Sequence, residues 1–302
     1  IHASTPMSIY HNYAGHNMGK RWLYREERWV ARGEVIRPAE FGVDVLSERM
    51  SRALILEHHY SGSFPAARLS VGLFRKTGVS TSRVVGTAVF SVPIQAASIT
   101  RYSGLLPSQG VELGRFVCTP DVAFNGETWF LRRALALLRQ EKPEVRAVVS
   151  YADPMERRTV EGLLTKAAHA GQIYAAHNAV FAGRAKPRWL WLDRNGQVVS
   201  ERALSKIRAQ HQGHAYAERQ LVTAGADPRR YGEEPAAWLE RVLRAPTFRR
   251  LRHPGNFVFV FGLDRQAKAG VLVANGGNRP YPKVSGPKTS DVTRPAPQFT
   301  LL

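Results

Sequence analysis

Five short runs rich in β-branched and aromatic residues, none longer than ten, recur along the chain with helix-patterned stretches between them. Strands this short bury little by themselves, whereas side by side in one sheet they offer faces that helices can cover. RLSVGLF (68–74) and RVVGTAVFSV (83–92) read as antiparallel strands joined by the turn KTGVSTS, with a Gly- and Ser-containing loop expected from there to about Gly110. VELGRFVC (111–118), AVVSYADP (147–154) and NFVFVFGL (256–263) are the other three runs. Val45, Leu46, Met50 and Leu54 predict a helix over Val43–Glu57. Phe130, Leu131, Leu135 and Leu138 predict another from Gly126, capped by Asn125. MERRTVEGLLTKAAHAG reads as a third helix, stopped by Gly171. Further strands are expected at 172–182 and 186–192, with Arg194-Asn195-Gly196 turning into QVVS, and helices at 201–224 and near 235–245. The order predicts an α/β fold with a mixed central sheet flanked by helices. It excludes a helix-turn-helix or zinc-finger main body.

The expected organisation is an N-terminal extension (1–40), a catalytic core (41–200), a basic helix-and-strand part completing the domain (201–269) and a flexible basic tail (270–302). Residues 1–6, ahead of the first methionine, read as a remnant of expression. Charge narrows the partner: 43 Lys and Arg against 24 Asp and Glu give a formal +19, which suits nucleic acid or another polyanion. No run approaches the ~18 apolar residues of a membrane span. The polar start is unlike a signal peptide, so a cytoplasmic protein is expected. Cys118 is the single cysteine, which excludes an internal disulfide framework and a CxxC metal site. No metal is expected, because His58 and His59 are adjacent and no carboxylate is spaced to complete a triad.

Four segments concentrate reactive side chains. His59 and Tyr60 follow a helix end, where a His can exchange protons or cap the helix and a Tyr can donate to an oxyanion. Ser150 and Asp153 lie at a strand end, the usual ligand side of an open α/β sheet; Asp153 can orient an amine, take its proton, or cap a following helix. Tyr174 and Asn178 are expected on one strand face, with His169 and His177 nearby. The stretch from Val111 to Thr128, with Phe116, Cys118, Asn125 and Gly126, ends at a helix N-terminus whose amides can hold a cofactor phosphate or carbonyl. No phosphate-binding P-loop, H-E-x-x-H pair or G-x-S-x-G elbow is present. For nucleic acid the candidates are Arg241, Arg244, Arg249, Arg250 and Arg252 around Phe248, joined by Arg208 of the helix before them; arginines contact phosphate and an aromatic ring stacks a base.

In this order, HHYSG, ELGRFVC, SYADP, HAGQIYAAHNAVFAG, RALSKIR and the Pro-Gly-Asn-Phe strand resemble the Mom family of phage DNA adenine-modification enzymes, from about Ser51 to Leu263. The resemblance implies a GNAT-like fold and a phage-encoded enzyme working in the bacterial host. That enzyme places a carbamoylmethyl group on the exocyclic amine of adenine in double-stranded DNA, which shields the phage genome from restriction. It also implies His59, Tyr60, Ser150, Asp153 and Tyr174 as the pocket. The GNAT pattern for coenzyme A pyrophosphate, Arg/Gln-x-x-Gly-x-Gly/Ala, is missing between Cys118 and Gly126. An acetyl group also lacks the amide nitrogen of the product, whereas glycine supplies both carbons and the nitrogen. A glycyl ester such as glycyl-tRNA is therefore the expected donor, with acetyl-CoA the alternative. Two rival expectations stand beside this one: an acyl-CoA-dependent N-acyltransferase acting on a protein or small amine, and a non-catalytic DNA-binding phage protein.

Overall fold

The computed structural model describes residues 35–119, 122–123 and 125–283. The expected remnant and most of the expected N-terminal extension, and the tail beyond 283, lie outside the described residues. In chain order the elements are β1 (Phe41–Val45), α1 (Glu48–His58), β2 (Ala67–Lys76), β3 (Ser82–Ser91), α2 (Ala97–Ser103), β4 (Gly110–Cys118), α3 (Gly126–Glu141), β5 (Ala147–Ala152), β6 (Arg157–Arg158) and β7 (Leu164–Lys166). There follow α4 (Gln172–Ala175), β8 (Val180–Arg184), β9 (Arg188–Leu192), β10 (Val198–Val199), α5 (Glu201–Arg208), α6 (His214–Thr223), α7 (Pro235–Arg244), β11 (Arg249–His253), β12 (Phe257–Gly262) and α8 (Arg265–Ala274).

A seven-stranded mixed sheet in the order β1-β2-β3-β4-β5-β12-β8 forms the centre, and helices lie on both faces. Every neighbouring pair is antiparallel except β4 with β5. That parallel pairing is short: Gly110–Glu112 meet Ala147–Val149, and beyond them the strands part. A bulge at Gly114 lies where they separate, because Leu113 pairs with Phe90 but Arg115 with Val89. A bulge re-aims side chains. Val111 and Leu113 before it, and Phe116 and Cys118 after it, therefore all pack on the same core. A Cβ at Gly114 would come within 2.4 Å of Ser91 Oγ, so the close approach needs glycine.

One face of the sheet buries Val71, Leu73, Phe90 and Phe259 against Phe130, Leu131 and Leu138 of α3. The other buries Val149, Val258 and Val260 against Ile99 and Tyr102 of α2 and Val271 of α8. Each such side chain contributes on the order of 1.5–3 kcal/mol. A separate core holds α5, α6 and α7 together through Leu204, Ile207, Leu221, Trp238, Val242 and Phe248. Trp191 and Val199 of the three-stranded sheet β10-β9-β11 pack on it.

The mixed sheet and its helices match the expected fold class, and several elements differ from expectation. Val43–Val45 belong to β1, and α1 begins only at Glu48 with the Ser47 hydroxyl capping it. The face α1 buries is Ser51 and Ile55, while Met50 is exposed. The stretch before Gly110 is not all loop, since it contains α2. The helix expected from Met155 to Gly171 is instead the β6–β7 hairpin. Residues 172–175 form α4 and not a strand. The helix expected over 201–224 is two, broken where Gln210 and Gly213 adopt positive φ. Residues 265–274 are α8, so the chain past Gly270 is helical for a further turn.

Candidate active site

The turn after α1 sets the first group. The His59 amide closes the helix on Ile55 O at 2.9 Å, and the ring stacks on Tyr60 with centroids 4.3 Å apart. His59 Nδ1 accepts the Ser61 N–H at 3.1 Å, and Ser61 Oγ lies 2.8 Å away. An amide can only donate, so the imidazole proton sits on Nε2. Burial, and then the positive charges of Arg115 and Arg157 and the neighbouring His169, bring the His59 pKa down to about 3. His59 is therefore a neutral donor at physiological pH. Arg115, just after the bulge, ties this turn to β4: its Nε donates to Ser63 O at 2.9 Å and Nη2 to Ser63 Oγ at 2.8 Å. Burial raises the Tyr60 pKa against the opposing pull of Arg157, so the phenol keeps its proton.

The second group lies past β5. Asp153 Oδ1 accepts from His253 Nε2 at 2.9 Å and from the Met155 amide at 3.0 Å, while Oδ2 accepts from Arg157 Nη2 at 3.0 Å. Lys166 Nζ stands 3.4 Å from Oδ1 and donates to the carbonyls of Asp153, Met155 and Ala167. His253 Nδ1 accepts from the Gly255 amide, which leaves Nε2 as its donor. Burial works against the Asp153 charge, yet His253, Lys166, Arg157 and the Met155 amide outweigh it and hold the carboxyl well below its ordinary range. Burial brings Lys166 down to about 8, with Asp153 opposing that fall. No helix follows Asp153, so the expected capping role is replaced by this ion cluster. The Arg157 Nε is buried without a partner among the described residues.

The third group comes from the turn at Gly171 and from α4. The Tyr174 ring packs edge-on to His169 at 5.6 Å and against Phe259 at 5.3 Å. Burial, then Tyr60 and Glu112, raise its pKa well above the ordinary tyrosine value. Asn178 does not share a strand face with it: Tyr174 is helical and Asn178 has φ +54.

These groups meet. The His169 amide donates to Asp153 O at 2.8 Å, and the Arg157 guanidinium and Lys166 ammonium lie 5.5 and 5.8 Å from the Tyr60 ring centroid. Ser150 is on β5 just where it leaves β4, and its Oγ is buried without a partner among the described residues. The remaining candidates are placed otherwise. Phe116 stacks on Phe130 at 5.4 Å and, with Cys118, packs against the main core. Asn125 precedes α3 in the left-handed region (φ +65), and its side chain makes no capping bond. A Cβ on Gly126 would meet Val122 at 2.3 Å, so no larger residue fits there. Pro120, Asp121 and Phe124 of this loop are outside the described residues. Arg115, Arg157, Lys166 and His253 were not among the expected site residues. Only their basic character marked them, and nothing local distinguishes them from surface charges.

On the expected nucleic-acid face, Phe248 is 5% exposed inside the helical core, so its ring is not open to a base. Arg241 is held bidentately by Glu233 at 2.8 Å, and Arg244 donates through Nη2 alone to Glu240. Arg208 is exposed at the end of α5. Arg249 Nη2 donates to Arg158 O, joining β11 to the β6–β7 hairpin. Arg250 and Arg252 instead lie over Trp189 of β9, at 4.6 and 5.4 Å from its ring centroid.

Among the described residues no cluster of three or more His, Cys, Asp or Glu side chains could hold a metal ion, and no helix is long and apolar enough to cross a membrane. Compared with known families, the chain matches the one described as the Mom protein family over residues 40–283. No curated protein matches it.

Proposed function

The chain belongs to the Mom protein family, and from that premise we propose that it is a phage-encoded transferase that modifies DNA in the cytoplasm of the bacterial host. Its product is adenine carrying a carbamoylmethyl group on the exocyclic amine, which protects the DNA from restriction. One observation supports this reading most: His59-Tyr60, Ser150-Asp153 and His169-Tyr174, far apart in sequence, converge where β4 and β5 part. We read that gap, as in a GNAT-like fold, as the slot for an activated acyl donor.

The donor that suits the product is a glycyl ester such as glycyl-tRNA. The adenine amine attacks the ester carbonyl, an N–C bond forms, and the carbon–oxygen bond to the leaving alcohol breaks. The amine proton leaves with that alcohol. The glycine amine, free throughout, then attacks ring carbon 6. The bond from that carbon to the original nitrogen breaks, and this nitrogen leaves as the primary amide, taking up the proton the amine gives up. In this scheme His59 Nε2–H and the Tyr60 and Tyr174 hydroxyls are donors to the oxyanion, a role for neutral, protonated groups held in place. Asp153, with its oxygens already engaged, is a positioning residue that fixes Arg157 and His253. The adenine must leave the stack first, at a cost of a few kcal/mol. Acetyl-CoA is the alternative donor, and a thermal shift with it and none with DNA would favour the acyl-CoA-dependent acyltransferase.

Nucleoside mass spectrometry on DNA co-expressed with the protein is the test. A modified adenine is expected that disappears with Tyr60→Phe or His59→Gln. Unmodified DNA from the parent protein would refute the reading. Labelled glycyl-tRNA with purified protein then assigns the donor, since label must enter DNA.

A further inference from the structure

We infer that the face of β9 and β11 bearing Trp189, Arg250 and Arg252 is a stacking platform for an unpaired DNA base next to the one being modified. Cross-strand pairing sets Arg252 opposite Trp189 and Arg250 opposite Trp191, all on one side of the sheet. Trp189 remains 44% exposed even with two guanidiniums over its ring, and it is the only exposed tryptophan among the described residues. The surroundings are strongly basic. Residues 184–194 and 249–253 carry Arg184, Lys186, Arg188, Arg194, Arg249, Arg250 and Arg252 against one acid, Asp193, which is buried. No carboxylate pairs with Arg250 or Arg252 among the described residues, so their charge is available to phosphate. A half-exposed indole whose covering guanidiniums hold no carboxylate takes the π-face of any base once those arginines swing from the ring to the backbone phosphate.

The platform is also close to the chemistry. Arg252 is followed by His253, whose ring points to the opposite side of the same strand and holds Asp153 at 2.9 Å. A strand with an extruded adenine leaves the bases on either side of the gap each short of a stacking partner, and these are the bases the platform would take. This inference rests on the DNA-modifying reading above.

The test is binding, measured by fluorescence anisotropy on the His59→Gln protein so that turnover plays no part. The probes are an oligonucleotide duplex and the same duplex with three mismatched pairs. Stacking predicts tighter binding to the mismatched duplex, and Trp189→Ala should weaken that binding roughly 5- to 100-fold and abolish the preference. Trp189→Phe, which keeps an aromatic face, should restore most of it. Equal preference in Trp189→Ala and parent would overturn the platform while leaving the enzyme assignment standing. Absence of DNA binding by the parent protein would overturn both.

Discussion

Asp153 is held at once by Arg157, His253, Lys166 and the Met155 amide, and that occupancy governs what its replacement would report. Asp153→Asn keeps the shape but strips the countercharge from an arginine 8% exposed and a lysine 4% exposed. Breaking such a cluster costs about 3–5 kcal/mol, so thermal unfolding of this variant should fall markedly, and a loss of modification would not separate chemistry from folding. His59 gives a cleaner readout. Its pKa is about 3 when folded and 6.5 when free, so between those values the unfolded chain binds a proton that the folded one does not. Stability must then rise with pH across that window, and it is progressively lost as pH falls below 6.5. Asp153, depressed from 3.8, acts in the same direction only near and below that value. In His59→Gln the decline in Tm between pH 6.5 and 4 should be shallower than in the parent. Parallel curves would show that His59 titrates normally.

The β6–β7 hairpin shows where sequence pattern misleads. Val160, Leu163 and Leu164 have the spacing of a helix face, yet Val160 and Leu163 are half-exposed in the structure. The residues drawn inward are Arg157 and Lys166, and the charge that draws them is Asp153, tied in turn to His253 a hundred positions on. A contact of that range leaves no local period. The five strongly apolar strands, by contrast, declared themselves, because each buries side chains in the same central sheet. The turn into α4 is legible locally: a glycine after an apolar run predicts a left-handed stop, and Gly171 has φ +74, although a hairpin and not a helix precedes it. The same element offers a test. A Cβ on Gly171 would come within 2.2 Å of the Phe259 ring, whereas at Gly277, also at positive φ, nothing lies within 4 Å. Gly277→Ala should cost about 1 kcal/mol for backbone strain alone. Gly171→Ala should cost at least about 2 kcal/mol, since overpacking adds to that strain, and it should also displace Tyr174. Equal denaturation midpoints for the two variants would show that the ring yields freely.

At the scale of the whole molecule, +19 says that a polyanion is welcome but not where it lies. The structure divides the arginines by what they already hold. Arg241 and Arg244 are taken by Glu233 and Glu240, and Arg249 by a backbone carbonyl, while among the described residues Arg250 and Arg252 lie over aromatic rings and pair with no carboxylate. An arginine committed to a carboxylate would have to give that bond up to reach phosphate, whereas one lying on an indole keeps its charge unneutralised and gives up only a cation–π contact. Salt dependence reads this difference directly, because each phosphate contact releases condensed counterions and steepens the log–log plot of affinity against salt by about 0.9 on duplex DNA. Arg250→Gln with Arg252→Gln should therefore lower the slope by up to about 1.8. Arg244→Gln, which removes the same kind of charge from a surface pair, should leave it nearly unchanged. Should both sets flatten the slope alike, the attraction belongs to the net charge of the protein, and the β9–β11 face would lose its claim to be where the DNA backbone runs.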